Sequence, residues 1–316
     1  MGSEPIRFRP PRGRPAPAAR ARTAARRGAS ALAVAGAVVV TLAVAGSASA
    51  RSQTLPAPSP KTISAQAGPI GATLSYLSTP QRYGGPTATG LQLAIERGGT
   101  TVFAAPVAAA LCHTACQLEE LGHGPAQDVS IVDLEGDGEP EILVDLYSGG
   151  AHCCSIVEVF AYVPSTGSYT AVEHDFGDPG AKLTDIDGDG KLEFESADDR
   201  FAYAFAPFAF SGMPPLVLDF AAGQFHDVTT HFPALIRTDA ARELKAYRTN
   251  RRQGFGLGFI AAWAADESLL GRHASAHGTL VKLARADRLH TDDGVDPSGM
   301  RFVVRLERFL HENGYG

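Results

Sequence analysis

Two nine-residue segments limit what this chain can fold into more than any other feature. Residues 133–141 read DLEGDGEPE, and residues 185–193 read DIDGDGKLE, 52 positions further on. Each has acidic residues at positions 1, 3, 5 and 9 and a glycine at 6. Carboxylates at alternating positions of a tight loop turn toward one point, and the glycine permits the sharp bend. Their mutual repulsion is relieved by a hard divalent cation that takes several oxygens, so Ca²⁺ is the expected ion. The expected ligands are Asp133, Glu135, Asp137 and Glu141 in the first loop, with the carbonyl of Glu139. In the second they are Asp185, Asp187, Asp189 and Glu193, with the carbonyl of Lys191. Position 12 holds Val144 and Ser196 instead of a bidentate glutamate, so neither loop is a helix-flanked EF-hand.

The residues around the loops read as strands. From 69 to 232 the chain offers short β-branched or apolar runs such as VSIVDL, EILVDLYS, SIVEVFAYV, KLEFES and LVLDF, divided by turn signals. Gly98-Gly99 predicts a hairpin between two of them. From 233 to 316 the pattern turns helical. TDAARELKAYRTN opens on a capping Thr or Asp, and Phe302, Val303, Leu306, Phe309 and Leu310 form one stripe that stops at Asn313-Gly314. The expected fold class is mainly β, with antiparallel sheets, followed by an α-helical C-terminal region.

The first 68 residues are expected to lie outside that fold. Residues 1–27 hold eight arginines and one acid, 31–46 are an apolar run, and SASA follows. This reads as a secretory signal cut after Ala50. Residues 51–68, rich in Pro and Ser, read as a flexible linker. Removing the signal takes Lys plus Arg from 28 to 20 and Asp plus Glu from 34 to 33, leaving a net charge of −13. That balance excludes nucleic acid and anionic lipid as expected partners. The mature protein is expected to be secreted or on the cell surface, with no membrane insertion.

The loop followed by a strand and a small-residue turn resembles the FG-GAP/VCBS-like repeat over residues 129–230. DGEPEILVDLYSGG leading to SIVEVFAYVPSTGSYT is similar to one unit, and DGKLEFESADDRFAYAFA leading to LVLDFAAGQFHDV to a second. The resemblance implies β-propeller-like blades with Ca²⁺ at the loop positions named above. Two units cannot close a ring, so an incomplete, propeller-like sheet stack is expected. GGAHCC after such a loop also resembles uncharacterised exported bacterial proteins.

Four cysteines, Cys112, Cys116, Cys153 and Cys154, lie in the exported part and suggest two disulfides. Adjacent cysteines rarely bond each other, so each of Cys112 and Cys116 is expected to cross to Cys153 or Cys154. A zinc or copper site with His113 and His152, or a redox-active vicinal pair, are the alternatives. His226 and His231 have no nameable partner in the sequence. No nucleophile elbow, H-E-x-x-H or P-loop is present. The expected function is therefore an exported, calcium-binding, non-enzymatic module that binds an unknown protein or glycan or serves a structural role. The alternative is a secreted hydrolase using acids or histidines near the loops.

Overall fold

A computed structural model describes residues 55–83, 85–107, 109–112, 116–118, 128–149, 152–291 and 297–316. The expected signal segment, residues 51–54 of the linker, and His113 lie outside them. The described chain forms three antiparallel sheets and four α-helices. The first sheet is a meander of β1 (Ser59–Ala67), β2 (Ile70–Thr79), β3 (Thr87–Arg97) and β4 (Thr100–Pro106). The β3–β4 hairpin turns on Gly98 and Gly99, both at positive φ, as their spacing predicts.

Strand β1 corrects the linker reading. Residues 59–67 pair with β2 from Ser59↔Ser78 to Ala67↔Ile70, and Ile63 and Ala65 turn toward the core. The segment is an edge strand, which is where a strand tolerates a proline such as Pro60. Its Pro and Ser content therefore disguised an alternating pattern.

The second sheet holds β5 (Gln117–Leu118), β7 (Glu141–Tyr147), β8 (Ser155–Val163) and β9 (Ser168–Gly177) in that order. Strand β6 (Val129–Val132) also pairs with β7. The third sheet is β10 (Lys182–Thr184), β11 (Glu193–Ala197), β12 (Pro215–Ala221) and β13 (Gln224–Asp227). The second sheet lies between the other two. Ile142, Val144, Leu146, Ile156 and Phe160 join the core formed with the first sheet. Leu143, Val157 and Val159, on the opposite face, join Phe194, Leu218 and Phe220 of the third. A strand buried on both faces favours apolar residues on both, which explains the near-continuous runs in β7 and β8, interrupted only by buried Asp145 and Glu158 between their ends. Among the described residues no sheet closes into a barrel or a propeller.

The helices are α1 (Pro233–Asn250), α2 (Leu257–Leu269), α3 (His273–Arg285) and α4 (Met300–Glu312). Helix α1 begins five residues before the capping Thr expected from the sequence, with Pro233 in its first turn, where a missing N–H costs nothing. Thr238 instead bonds back to the Ala234 carbonyl at 2.9 Å. On α4, Phe302, Val303, Leu306 and Leu310 are buried as one stripe, with Phe309 packed beside them. Phe201 and Phe205, from the connection between β11 and β12, enter the same core, so the helices pack on the β region. The Tyr315 hydroxyl donates to buried Asp198 at 2.7 Å, and Arg200 chelates the same carboxylate, tying the C-terminus to the end of β11. Among the described residues no helix is long and apolar enough to cross a membrane.

Candidate metal centre

Both acidic loops connect a short strand to a buried one, and they share a hydrogen-bond plan. In the first, Asp133 accepts the N–H groups of Asp137 at 3.1 Å and Gly138 at 2.9 Å. In the second, Asp185 accepts those of Gly188 at 2.7 Å and Gly190 at 3.1 Å. Asp137 and Asp189 each accept the N–H two residues on, at 2.9 and 2.8 Å. Gly136, Gly138, Gly188 and Gly190 all have positive φ, which the tight double bend requires. The position-1 carboxylate is therefore a cap for the turn as well as a candidate ligand.

Glu141 and Glu193 close the plan. Each opens a buried strand, and each accepts the N–H of the loop's second residue, Leu134 at 3.0 Å and Ile186 at 2.9 Å. Burial pushes Glu141 up to about 7; the Leu134 N–H opposes the shift, and Glu135 and Asp137 add to it. Glu193 moves the same way, again chiefly through burial. These two carboxylates hold the base of each loop.

The loops differ in how far their acids converge. Carboxylate oxygens of Asp185, Asp187 and Asp189 lie within 4.8 Å of one another and are exposed. Two ligands on opposite sides of one Ca²⁺, each about 2.4 Å away, stand about that far apart. The second loop therefore fits the ion. Among the described residues no other group of three acids, histidines or cysteines converges this closely, so Asp133, Glu135 and Asp137 are more spread. The side chain of Glu139 is engaged elsewhere, in a bidentate ion pair with Arg97 of β3, which also stacks over Tyr162 at 4.0 Å. Its backbone carbonyl remains the candidate donor.

Sequence spacing could not reveal that the two loops are neighbours. A side chain added at Gly136 would lie 3.5 Å from Lys191. Glu135, Asp187, Asp189, Lys191 and Glu193 line one cleft of about 170 Å³, together with Asp219 of β12 and His231. His226 is exposed and bonds the Ala221 carbonyl at 3.1 Å.

The cysteines pair locally, Cys112 with Cys116 and Cys153 with Cys154. This overturns the expected cross-links, and no cysteine among the described residues is left as a thiolate for zinc or copper. Cys112 packs against the core of the first sheet, where Cys116 is buried. Cys153 and Cys154 sit on the turn between β7 and β8, closed by the Ser148 N–H donating to the Cys154 carbonyl at 3.1 Å and the Cys154 N–H donating to Ser148 Oγ at 3.2 Å.

A larger cleft of about 410 Å³ lies between β9 and the third sheet. Phe176, Phe225, Leu216 and Leu218 line it, with Asp175, Asp199, Asp227 and His174. Burial lowers the pKa of His174 and raises that of Asp199. These residues are scattered over 54 positions, with no local motif to reveal them.

Fold and loops together define a three-sheet β protein with a helical C-terminal region and a pair of apposed acidic turns. No protein-family model matches the chain, and no solved structure matches it. It is 30% identical over 164 residues to an uncharacterized protein of Sinorhizobium fredii, covering 50% of this chain and 25% of that one. It is 29% identical over 163 residues to a probable thylakoid lumen protein of Synechocystis, covering 50% and 48%. The chain thus spans between a quarter and a half of the length of these relatives.

Proposed function

We propose that this is an exported, non-enzymatic protein in which Ca²⁺ bound at the second acidic loop orders a surface for a protein or glycan partner. The observation that carries the reading is the convergence of Asp185, Asp187 and Asp189 within 4.8 Å. The first loop, with the same hydrogen-bond plan and the facing position, is the second and weaker site. The likeness of both loops to FG-GAP/VCBS-like repeats is part of this reading. Export is supported by the basic and apolar N-terminal segment and by the relative described as a probable thylakoid lumen protein. The 410 Å³ cleft, with an apolar floor and a carboxylate rim, suits a glycan or a polar peptide.

Thermal unfolding of the full chain with millimolar Ca²⁺ and with chelator is the test. Ligand at 100 times its Kd stabilises by about 2.7 kcal/mol, a visible rise in Tm. The rise should vanish in the Asp187→Asn/Asp189→Asn variant. An unchanged Tm in the parent protein overturns the calcium reading.

A second reading, a secreted hydrolase, rests on the oppositely shifted His174 and Asp199 in the larger cleft. It requires ester, glycan or phosphate hydrolysis that His174→Ala abolishes.

A further inference from the structure

The adjacent cysteines have no part in the calcium reading. Cys153 and Cys154 are joined to each other with no residue between them. A disulfide stabilises in proportion to the length of chain it closes, so this pair hardly constrains the unfolded chain. The turn does not depend on it either. Ser148 and Cys154 already close it with two hydrogen bonds, and the β7–β8 ladder begins directly beyond them, at Tyr147↔Ser155. A staple is therefore a poor account of these two sulfurs.

Their surroundings suit exchange. Cys116 of the other pair is buried and Cys112 packs on the same core, whereas Cys153 and Cys154 are both only half-buried. The preceding His152 is at the surface, its side chain 46% exposed, held by the Phe208 ring at 4.1 Å and by Asp178 at 3.4 Å from Nδ1. Its φ is 60°, a left-handed conformation that non-glycine residues adopt chiefly in turns and at functional sites. Ser148 Oγ accepts the Cys154 N–H and lies 4.0 Å from Cys153 Sγ, so its own proton can point at that sulfur. A thiolate accepts such a bond better than a disulfide sulfur does, so the contact strengthens as Cys153 leaves. Accessible disulfides are the ones that exchange.

We propose that Cys153–Cys154 is a redox-exchange site for a dithiol reductant, while Cys112–Cys116 is structural. One thiolate of the dithiol attacks Cys154 Sγ and forms a mixed disulfide. The bond between the two cysteine sulfurs breaks, and Cys153 leaves as a thiolate that takes up a proton beside Ser148. The second thiolate of the dithiol then attacks its own partner sulfur in the mixed disulfide. The reductant closes to a disulfide, and Cys154 leaves as a thiolate and is protonated. Two electrons and two protons pass from the dithiol to the pair.

The test uses the full oxidised chain, with dithiothreitol as the probe. Samples at rising dithiothreitol are alkylated with iodoacetamide and mapped by mass. Cys153 and Cys154 should be alkylated at a concentration about tenfold below that needed for Cys112 and Cys116, with the parental circular dichroism. Oxidised dithiothreitol should close the pair again. Ser148→Ala should slow the opening about threefold, the scale of one weak hydrogen bond; an unchanged rate overturns Cys153 as the leaving sulfur. Cys153→Ser/Cys154→Ser should fold as the parent does and lose the low-concentration step. Opening of both pairs together, opening only as the circular dichroism is lost, or collapse of the double variant overturns the proposal and makes the pair a structural lock. A map that joins Cys153 or Cys154 to another cysteine overturns it as well.

Discussion

Replacing Asp266 by Asn should stabilise this protein at neutral pH. Asp266 lies on α2, fully buried, against Asp239 and Glu243 of α1. Arg242 is paired with both α1 acids. If all three acids were ionised, both oxygens of Asp266 and one each of Asp239 and Glu243 would lack a hydrogen-bond donor. A proton on Asp266 removes one charge and lets it bond Asp239. Burial, with Asp239 and Glu243 adding repulsion, accordingly pushes Asp266 up to about 10. Burial, reinforced by Asp239, pushes Glu243 up to about 7.

The sign follows from where the proton is held. Unfolded, Asp266 titrates near 3.9, so between roughly pH 4 and 10 the native state holds a proton that the unfolded state releases. Stability from this group is complete below the unfolded pKa and is lost as pH rises, at about 1.4 kcal/mol per unit. From pH 5 to 7 the loss is about 3 kcal/mol, and Glu243 adds to it in the same direction. Asn has the same shape, holds its donor at every pH and pays no proton cost. At pH 7 that cost is about 4 kcal/mol. Burying an amide takes back about 1–3 kcal/mol, so a net gain of about 2 is expected. Urea unfolding of both proteins at pH 5, 6, 7 and 8 reads this out, because their difference cancels titrations common to both. A difference that does not grow by more than 1 kcal/mol between pH 5 and 7 refutes the account.

Two further predictions concern the core and the cysteines. Phe194→Ala empties a fully buried site stacked on Phe176 and in contact with Phe225, and should cost about 3–5 kcal/mol with an unchanged m-value; a loss under 1 would mean the second and third sheets do not share this core. Replacing Cys112 and Cys116 by Ser opens a loop of about five residues, worth about 2 kcal/mol by loop closure, whereas a crossed ring of about forty would be worth about 4. Non-reducing peptide mapping should recover Cys112 and Cys116 joined to each other, and a peptide joined to Cys153 or Cys154 would contradict the local pairing.

What could be read from the sequence was what a few adjacent residues enforce. The near-continuous apolar runs of β7 and β8 are legible because a strand buried on both faces is mostly apolar, even though Asp145 and Glu158 interrupt them. The stripe of α4 is legible because one face of a helix repeats within four residues. Strand β1 was hidden because an edge strand tolerates the Pro and Ser that also make linkers. The start of α1 was hidden because Pro233 breaks a helix in its middle and begins one at its end.

The same division explains the sites. Each acidic loop supplies its own turn bonds within nine residues, so its form is written locally. The apposition of the loops is not, since it depends on stacking the third sheet against the second through Phe176, Phe194 and Leu218. Asp239 and Glu243 look like solvated helix charges until α2 buries them with Asp266. A carboxylate in this chain is therefore a turn cap, a strand-end clip, a proton store or a candidate ligand according to which element packs over it. The three-sheet stack and the helix packing determine that assignment, which is why the acidic residues alone could suggest calcium but could not divide these roles among them.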